Sequence, residues 1–174
     1  MTPWLREARD GDADGLIALI GACWSEYPGC VLDVDGEVPE LRAIASHYAA
    51  RGGRFWVAEA EGRVVGSVGL LPSGPDGAEL CKLYVLRAAR RRGLGARLAG
   101  LVEAEARRRG AAFLELWTDT RFADAHRLYE RLGFGRLPET RVLHDLSNSV
   151  EYRYRKPLTG PAGIADRGAR AKYA

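Results

Sequence analysis

Apolar residues recur along this chain at two spacings, one close to 3.6 residues and one of 2, and the switches between them mark out helices and strands. Trp4 to Ala8 reads as a short first strand. Asp10 or Asp12 then caps a helix whose positions Leu16, Ile17, Leu19, Ile20, Cys23 and Trp24 form a buried face, ending near Tyr27-Pro28-Gly29. Cys30 to Val38 has the composition of a loop, and Pro39 opens a second helix carrying Leu41, Ile44, Ala45 and Tyr48, stopped by Gly52-Gly53. Arg54 to Ala60 and Arg63 to Leu71 read as strands joined by a hairpin at Glu61-Gly62, and Pro72 to Gly77 is turn-rich.

Ala78 to Leu86 is the next strand, followed by a helix with Leu94, Leu98, Leu101 and Val102 on one face and Gly110 at its end. Ala111 to Thr118 returns as a strand, Ala123 to Leu132 as a helix ending at Gly133, Phe134 onward as another strand, and Val150 to Lys156 as the last. Thr159 to Ala174 lacks apolar periodicity. The expected organisation is one domain over residues 1–158 and a flexible tail over 159–174. The interleaving predicts an α/β fold, a mixed, twisted central β-sheet with helices on both faces.

Between the strand at Ala78 to Leu86 and the helix after it, Arg90-Arg91-Arg92 leads into Gly93-Leu94-Gly95-Ala96. A helix start leaves backbone N–H groups without partners and carries the positive end of the helix dipole, so it attracts phosphate. Glycine at 93 and 95 removes the Cβ that would hold an anion away from that backbone. The spacing differs from the dinucleotide fingerprint, which needs G-x-G-x-x-G, and from the P-loop, which ends in lysine and Ser or Thr.

Arg90-x-x-Gly93-x-Gly95 resembles motif A of the GNAT superfamily of acyl-CoA-dependent N-acyltransferases. Ala125-His126-Arg127-Leu128-Tyr129-Glu130-Arg131-Leu132-Gly133-Phe134 is similar to that family's motif B, and the resemblance covers residues 3 to 157. It implies a GNAT-like sheet with a splayed pair of central strands, Ala78 to Leu86 and Ala111 to Thr118, and acetyl-CoA as cosubstrate in the gap. The pantetheine arm would add to the main chain of Leu83, Tyr84 and Val85 as an extra strand does, and the pyrophosphate would lie on Arg90, Arg91, Arg92, Gly93, Leu94, Gly95 and Ala96.

The implied activity is transfer of acetyl to a primary amine of a small molecule or peptide by direct nucleophilic attack. An alkylammonium, with a pKa of ~10.4, must lose a proton before it attacks. Glu79, eleven residues before Arg90, is the candidate base, and Tyr129 of motif B the candidate acid for the departing thiolate. As ordinary structure, Glu79 starts a strand near solvent and Tyr129 fills a core beside Ala125, Leu128 and Leu132. Phe122 stands where many members carry an asparagine that contacts pantetheine; Thr118, Asp119, Thr120 or Arg121 could replace it. No histidine lies near Cys81 in sequence, which argues against a covalent acyl-enzyme, and His126 and His144 read as surface or hydrogen-bonded residues.

Composition narrows the alternatives. The formal charge of +3 is too small to imply nucleic-acid binding, and Glu103 and Glu105 stand four residues before Arg107 and Arg109, as on a solvated helix end. Three cysteines, Cys23, Cys30 and Cys81, form neither a disulfide framework nor a metal-ligand spacing, so reduced thiols, no metal and a cytoplasmic location are expected. No apolar run approaches the roughly 20 residues that span a bilayer. The expected partner is a small-molecule amine acceptor, with no membrane and no nucleic acid, and a homodimer stands as an open alternative.

Two acceptor chemistries fit the residues. Asp33, Asp35 and Glu37 suit a cationic acceptor, whereas Arg141 and Arg153 suit a carboxylate-bearing one such as an amino acid. Trp24, Tyr27 and Trp117 are candidate walls of the same cleft. A non-catalytic acyl-CoA-binding module is the alternative to the enzyme.

Overall fold

The computed structural model describes residues 2–158, so the tail expected at 159–174 lies outside the described residues. Seven strands form one sheet in the order β1-β2-β3-β4-β5-β7-β6. They are β1 (Trp4–Glu7), β2 (Arg54–Ala60), β3 (Arg63–Ser73), β4 (Gly77–Val85), β5 (Phe113–Asp119), β6 (Gly135–Val142) and β7 (Val150–Pro157). The helices are α1 (Ala13–Trp24), α2 (Ile44–Ala50), α3 (Leu94–Arg108) and α4 (Ala123–Arg131).

The inner strands β2 and β3 are apolar on both sides because both sides are covered, whereas β6 at the sheet edge is mostly exposed. Along β2, Phe55 and Val57 join Leu16, Ile20, Ile44 and Tyr48 beneath α1 and α2, whereas Trp56 and Ala58 join Leu94, Leu98 and Val102 of α3. Leu16, Ile44, Leu98 and Val102 are fully buried, and each such side chain contributes about 1.5–3 kcal/mol relative to exposure.

Several local readings need correction. Neither Asp10 nor Asp12 caps α1 through its side chain. The Arg6 guanidinium holds both Asp12 oxygens at 2.8 and 2.9 Å, a charge-assisted pair stronger than a neutral cap bond, while Asp10 accepts the Ser46 N–H at 2.9 Å in the first turn of α2. Pro39–Ala43 is a 3-10 turn leading into α2, and β3 runs on through Pro72 to Ser73. The end of α3 is less solvated than its charges suggest: Glu105 is buried and gathers Arg54, Arg108 and Arg109 at 2.7 to 3.0 Å.

Every strand pair is antiparallel except β4 with β5, and that pair positions the site. It has only three rungs, Gly77 with Phe113, Ala78 with Leu114 and Glu79 with Glu115. Beyond Glu79 the two strands part, β4 continuing along β3 and β5 along β7. Within the free stretch of β4, Lys82 takes φ +48 in a bulge and its carbonyl accepts the Ser67 hydroxyl at 2.8 Å. The splayed pair expected from the motifs is therefore present.

Candidate active site

A cleft of about 1080 Å³ opens where β4 and β5 part. Its mouth is the turn from β4 into α3. Arg91 at φ +60 and Gly93 at φ +75 wind the chain so that successive amides converge, and the first intrahelical bond of α3 runs from the Arg97 N–H to the Gly93 carbonyl at 3.0 Å. The N–H groups of Leu94, Gly95 and Ala96 precede that bond. The two glycines serve different ends. A Cβ at Gly93 would meet nothing within 4 Å, so glycine answers the left-handed backbone there, whereas a Cβ at Gly95 would come to 3.0 Å from Leu128 Cδ2, so glycine lets α4 approach α3.

Of the residues expected at the cofactor, Leu83, Tyr84, Val85, Arg90, Arg91, Gly93, Leu94, Gly95 and Ala96 all line the cleft, and Arg92 is exposed outside it. Two are already engaged. Arg90 donates to both Glu26 carboxylate oxygens at 2.6 and 2.8 Å, and its Nε donates to the Val85 carbonyl at 2.8 Å. Its guanidinium thus has partners within the fold, and its N–H donates to the Arg87 carbonyl at 3.2 Å. The Tyr84 hydroxyl accepts the Trp24 indole N–H at 3.0 Å.

Glu79 is the last β4 residue paired to β5 and stands at the fork, beside Glu115 across the parallel rung. The two carboxylates meet opposite environments. For Glu115, burial would raise the pKa, but Ser73, Arg155 and Arg153 at 2.5 to 2.8 Å outweigh it and hold the group below the usual range. Glu79 has no ion pair or side-chain hydrogen bond among the described residues, and burial pushes it up. Arg141 and Arg51 oppose that rise, and Glu115 and Glu151 add to it. Neighbouring carboxylates driven apart in this way are a frequent basis for acid–base roles.

Tyr129 lies on the opposite wall, on α4, with its ring 5.9 Å from Phe134 and 6.0 Å from Tyr154. It is 5% exposed, and burial holds the phenol protonated well above neutrality. Its hydroxyl has no hydrogen bond to the protein among the described residues. Cys81 follows Glu79 on the cleft side, and burial pushes its thiol up to about 12, so it carries negligible thiolate near neutral pH.

On the acceptor side, the acidic loop behaves differently from the cationic-acceptor reading. Asp33 accepts the Gly36 N–H at 3.0 Å within its own turn, Asp35 pairs with Arg42 at 2.8 Å, and only Glu37 lines the cleft. Arg153 is taken up by Glu115. Arg141 does line the cleft, lying 4.4 Å over the Trp117 ring and 2.5 Å from Glu151. Trp24 and Tyr27 line it as well, and Phe122 packs 4.7 Å from Tyr27. Near the Phe122 position, Thr118 and Asp119 face the cleft, Asp119 held by Arg121 at 2.6 Å. His126 Nε2 lies 2.9 Å from the Asp119 carbonyl, a hydrogen-bonded place.

Sequence reasoning missed Glu26, Tyr48, Arg51 and the Glu40–Lys82 ion pair at 2.7 Å, all contributed by α1, α2 or their flanks except Lys82, which is on β4. Only the position of Arg51 just before Gly52-Gly53 offered a local signal, a cation at a helix end.

The sequence matches the Acetyltransferase (GNAT) family over residues 17–134. It is 39% identical over 138 residues to the uncharacterized N-acetyltransferase YjgM of Escherichia coli (strain K12), covering 76% of this chain and 82% of that protein. An acetyltransferase of the GNAT family from Staphylococcus aureus Mu50 superposes with a TM-score of 0.77 at 23% identity over 90% of this chain and 99% of its own. The structure of yncA from Salmonella typhimurium with its cofactor acetyl-CoA superposes with a TM-score of 0.69 at 21% identity, covering 93% and 97%.

Proposed function

Because the chain belongs to the GNAT acetyltransferase family, we propose that it moves the acetyl group of acetyl-CoA to a primary amine of a small molecule or peptide by direct attack. It is an acetyl-CoA-dependent N-acyltransferase; the acceptor and the residue roles are the proposal. One observation carries them: the sheet opens at Glu79, so a carboxylate without a partner sits at the inner end of a gap roofed by Tyr129.

The residues fit the cosubstrate. Among the described residues, the β5-facing edge of β4 from Leu80 onward has no strand beside it, which suits an amide-bearing arm, and the amides of Leu94 to Ala96 suit the diphosphate. The Val85 carbonyl is satisfied by Arg90, so Leu83 and Tyr84 carry most of the main-chain contact. When bound, acetyl-CoA supplies the activated carbonyl.

Glu79 takes a proton from the acceptor ammonium, directly or through one water, and its upward-shifted pKa makes it the stronger base. The freed amine forms the new C–N bond as the C–S bond breaks; the Tyr129 hydroxyl gives its proton to the departing thiolate, and the proton that the newly acylated nitrogen sheds restores the phenol. A protonated Cys81 thiol supports direct attack over a covalent acyl-enzyme. Free cysteines suit a reducing cytoplasm, and among the described residues no helix is long and apolar enough to cross a membrane.

The test is incubation with acetyl-CoA and a panel of amines, with thiol release followed by a chromogenic disulfide. Amine-dependent release supports the proposal. CoA bound tightly with no release on any amine favours a non-catalytic acyl-CoA-binding module instead.

A further inference from the structure

Most charges at the acceptor end of the cleft are already matched. Glu40 pairs with Lys82 at 2.7 Å, Arg141 with Glu151 at 2.5 Å, and Asp119 with Arg121 at 2.6 Å. Two further carboxylates serve backbone amides, Glu37 accepting from Leu146 at 2.6 Å and Asp145 from Ser149 at 2.8 Å. What remains there with neither an opposite charge nor a backbone partner, among the described residues, is one anion and one cation, Glu79 and Arg51. Arg91 and Arg131 are also unmatched, but they flank the mouth between α3 and α4, on the diphosphate side.

Arg51 is held in place by its main chain. It caps the C-terminus of α2, its N–H donating to the Tyr48 carbonyl at 3.1 Å, and Gly52-Gly53 turns the chain into β2 directly after it. Its guanidinium is exposed, and its one side-chain contact is a 3.4 Å approach to His47 Nε2. It lines the same cleft as Glu79 and Cys81, and Gly52-Gly53 directly behind it fixes the point from which its side chain enters. A guanidinium without a carboxylate, in the cleft that also holds the unpaired Glu79, is an unfilled fork for a planar anion.

On the acetyl-transfer reading above, we propose that the acceptor is a zwitterion, an amino carboxylate whose ammonium meets Glu79 and whose carboxylate is held by Arg51. A dicationic amine would set its second charge against Arg51, and an uncharged amine would leave that guanidinium unused. The proton balance is that of the general reaction, because the carboxylate is only bound.

The test compares α-amino acids with their carboxamides, together with 4-aminobutyrate and a diamine, by kcat/KM in the native enzyme, Arg51→Met and Arg51→Lys. The native enzyme should prefer acid over amide by ~10- to 100-fold, the range of a charge-assisted pair. Arg51→Met should bring the ratio toward one, acting through KM for the acid, with Arg51→Lys between, and thermal melting checks that both fold. Preference for 4-aminobutyrate over α-amino acids would keep the zwitterion and lengthen it. Amides or the diamine acetylated as well as acids, or a ratio unmoved in Arg51→Met, would overturn the proposal while leaving acetyl transfer intact. If no amine is acetylated, the acetyl-transfer reading fails by itself, and calorimetric titration of an amino acid into the CoA complex decides. Binding lost in Arg51→Met sustains the carboxylate site, and absence of binding overturns it.

Discussion

Arg90 grips both carboxylate oxygens of Glu26, at 2.6 and 2.8 Å, and so fastens the end of β4 to the turn that leaves α1. The first residue of the glycine-bearing motif therefore acts as a strut. Its Nε bond to the Val85 carbonyl holds the last residue of the parted strand in place, just before the chain winds into the amides of α3.

Replacing Arg90 by Met should cost about 1–3 kcal/mol of stability, because the half-buried Glu26 carboxylate loses its donor and the Val85 carbonyl keeps only the Cys23 thiol at 3.5 Å. Arg91→Met, at a position with no ion pair, should change stability by less than ~0.5 kcal/mol yet weaken CoA binding. Urea unfolding and calorimetry on the two variants separate the strut from the phosphate contact.

Tyr129→Phe should lower kcat by on the order of 10²-fold or more while leaving the dissociation constant for CoA within about twofold, as expected for loss of a general acid. Unchanged turnover would reduce Tyr129 to a packing residue. The variant should fold normally, since the phenol oxygen has no protein partner to lose among the described residues.

Glu79→Gln should reduce activity by on the order of 10²-fold and at the same time raise the melting temperature at neutral pH. Burial lifts the native pKa of Glu79 above its unfolded value, so the native state binds more protons between the two and stability falls as pH rises through that window. Above that window the whole penalty is present, and glutamine removes it. In the native enzyme, kcat/KM should decline toward acid pH with a midpoint above the ordinary glutamate range, and that limb should vanish in the variant.

Gly93→Glu should abolish measurable CoA binding, since a carboxylate would stand at the mouth where the diphosphate is expected. Gly93→Ala isolates the backbone contribution. With open space around the site but φ at +75, it should cost about 1 kcal/mol of stability and retain most of the affinity. Equal CoA affinity in Gly93→Glu and the native protein would remove the anion cradle.

Much of the fold was legible because its signals are local. The continuous apolar run from Phe55 to Ala58 and the helical spacing of Leu94, Leu98 and Val102 each depend on neighbours a few positions away, and the structure buries all of them. The cleft's cofactor side was legible for the same reason, its turn and helix start being contiguous. The acceptor side was not. Glu79 owes its shifted pKa to burial and to charges at Arg141, Glu115, Glu151 and Arg51, which reach it from three other elements and one helix cap. Asp33, Asp35 and Arg153 look available in sequence, yet Asp33 turns back on the Gly36 amide of its own loop, and Asp35 and Arg153 have ion-pair partners that the fold brings to them. Charge type can be read along a chain, but charge pairing is a property of the folded surface.

The three rungs at Gly77–Glu79 make the sheet a pair of leaves stitched along one short seam, with β1 to β4 on one side and β5, β7 and β6 on the other. A ligand that slides between the leaves supplies the cross-links the backbone omits. Amide hydrogen exchange along Leu80 to Val85 and Leu116 to Asp119 should accordingly slow when the cosubstrate is added, far more than exchange in β1 or β2.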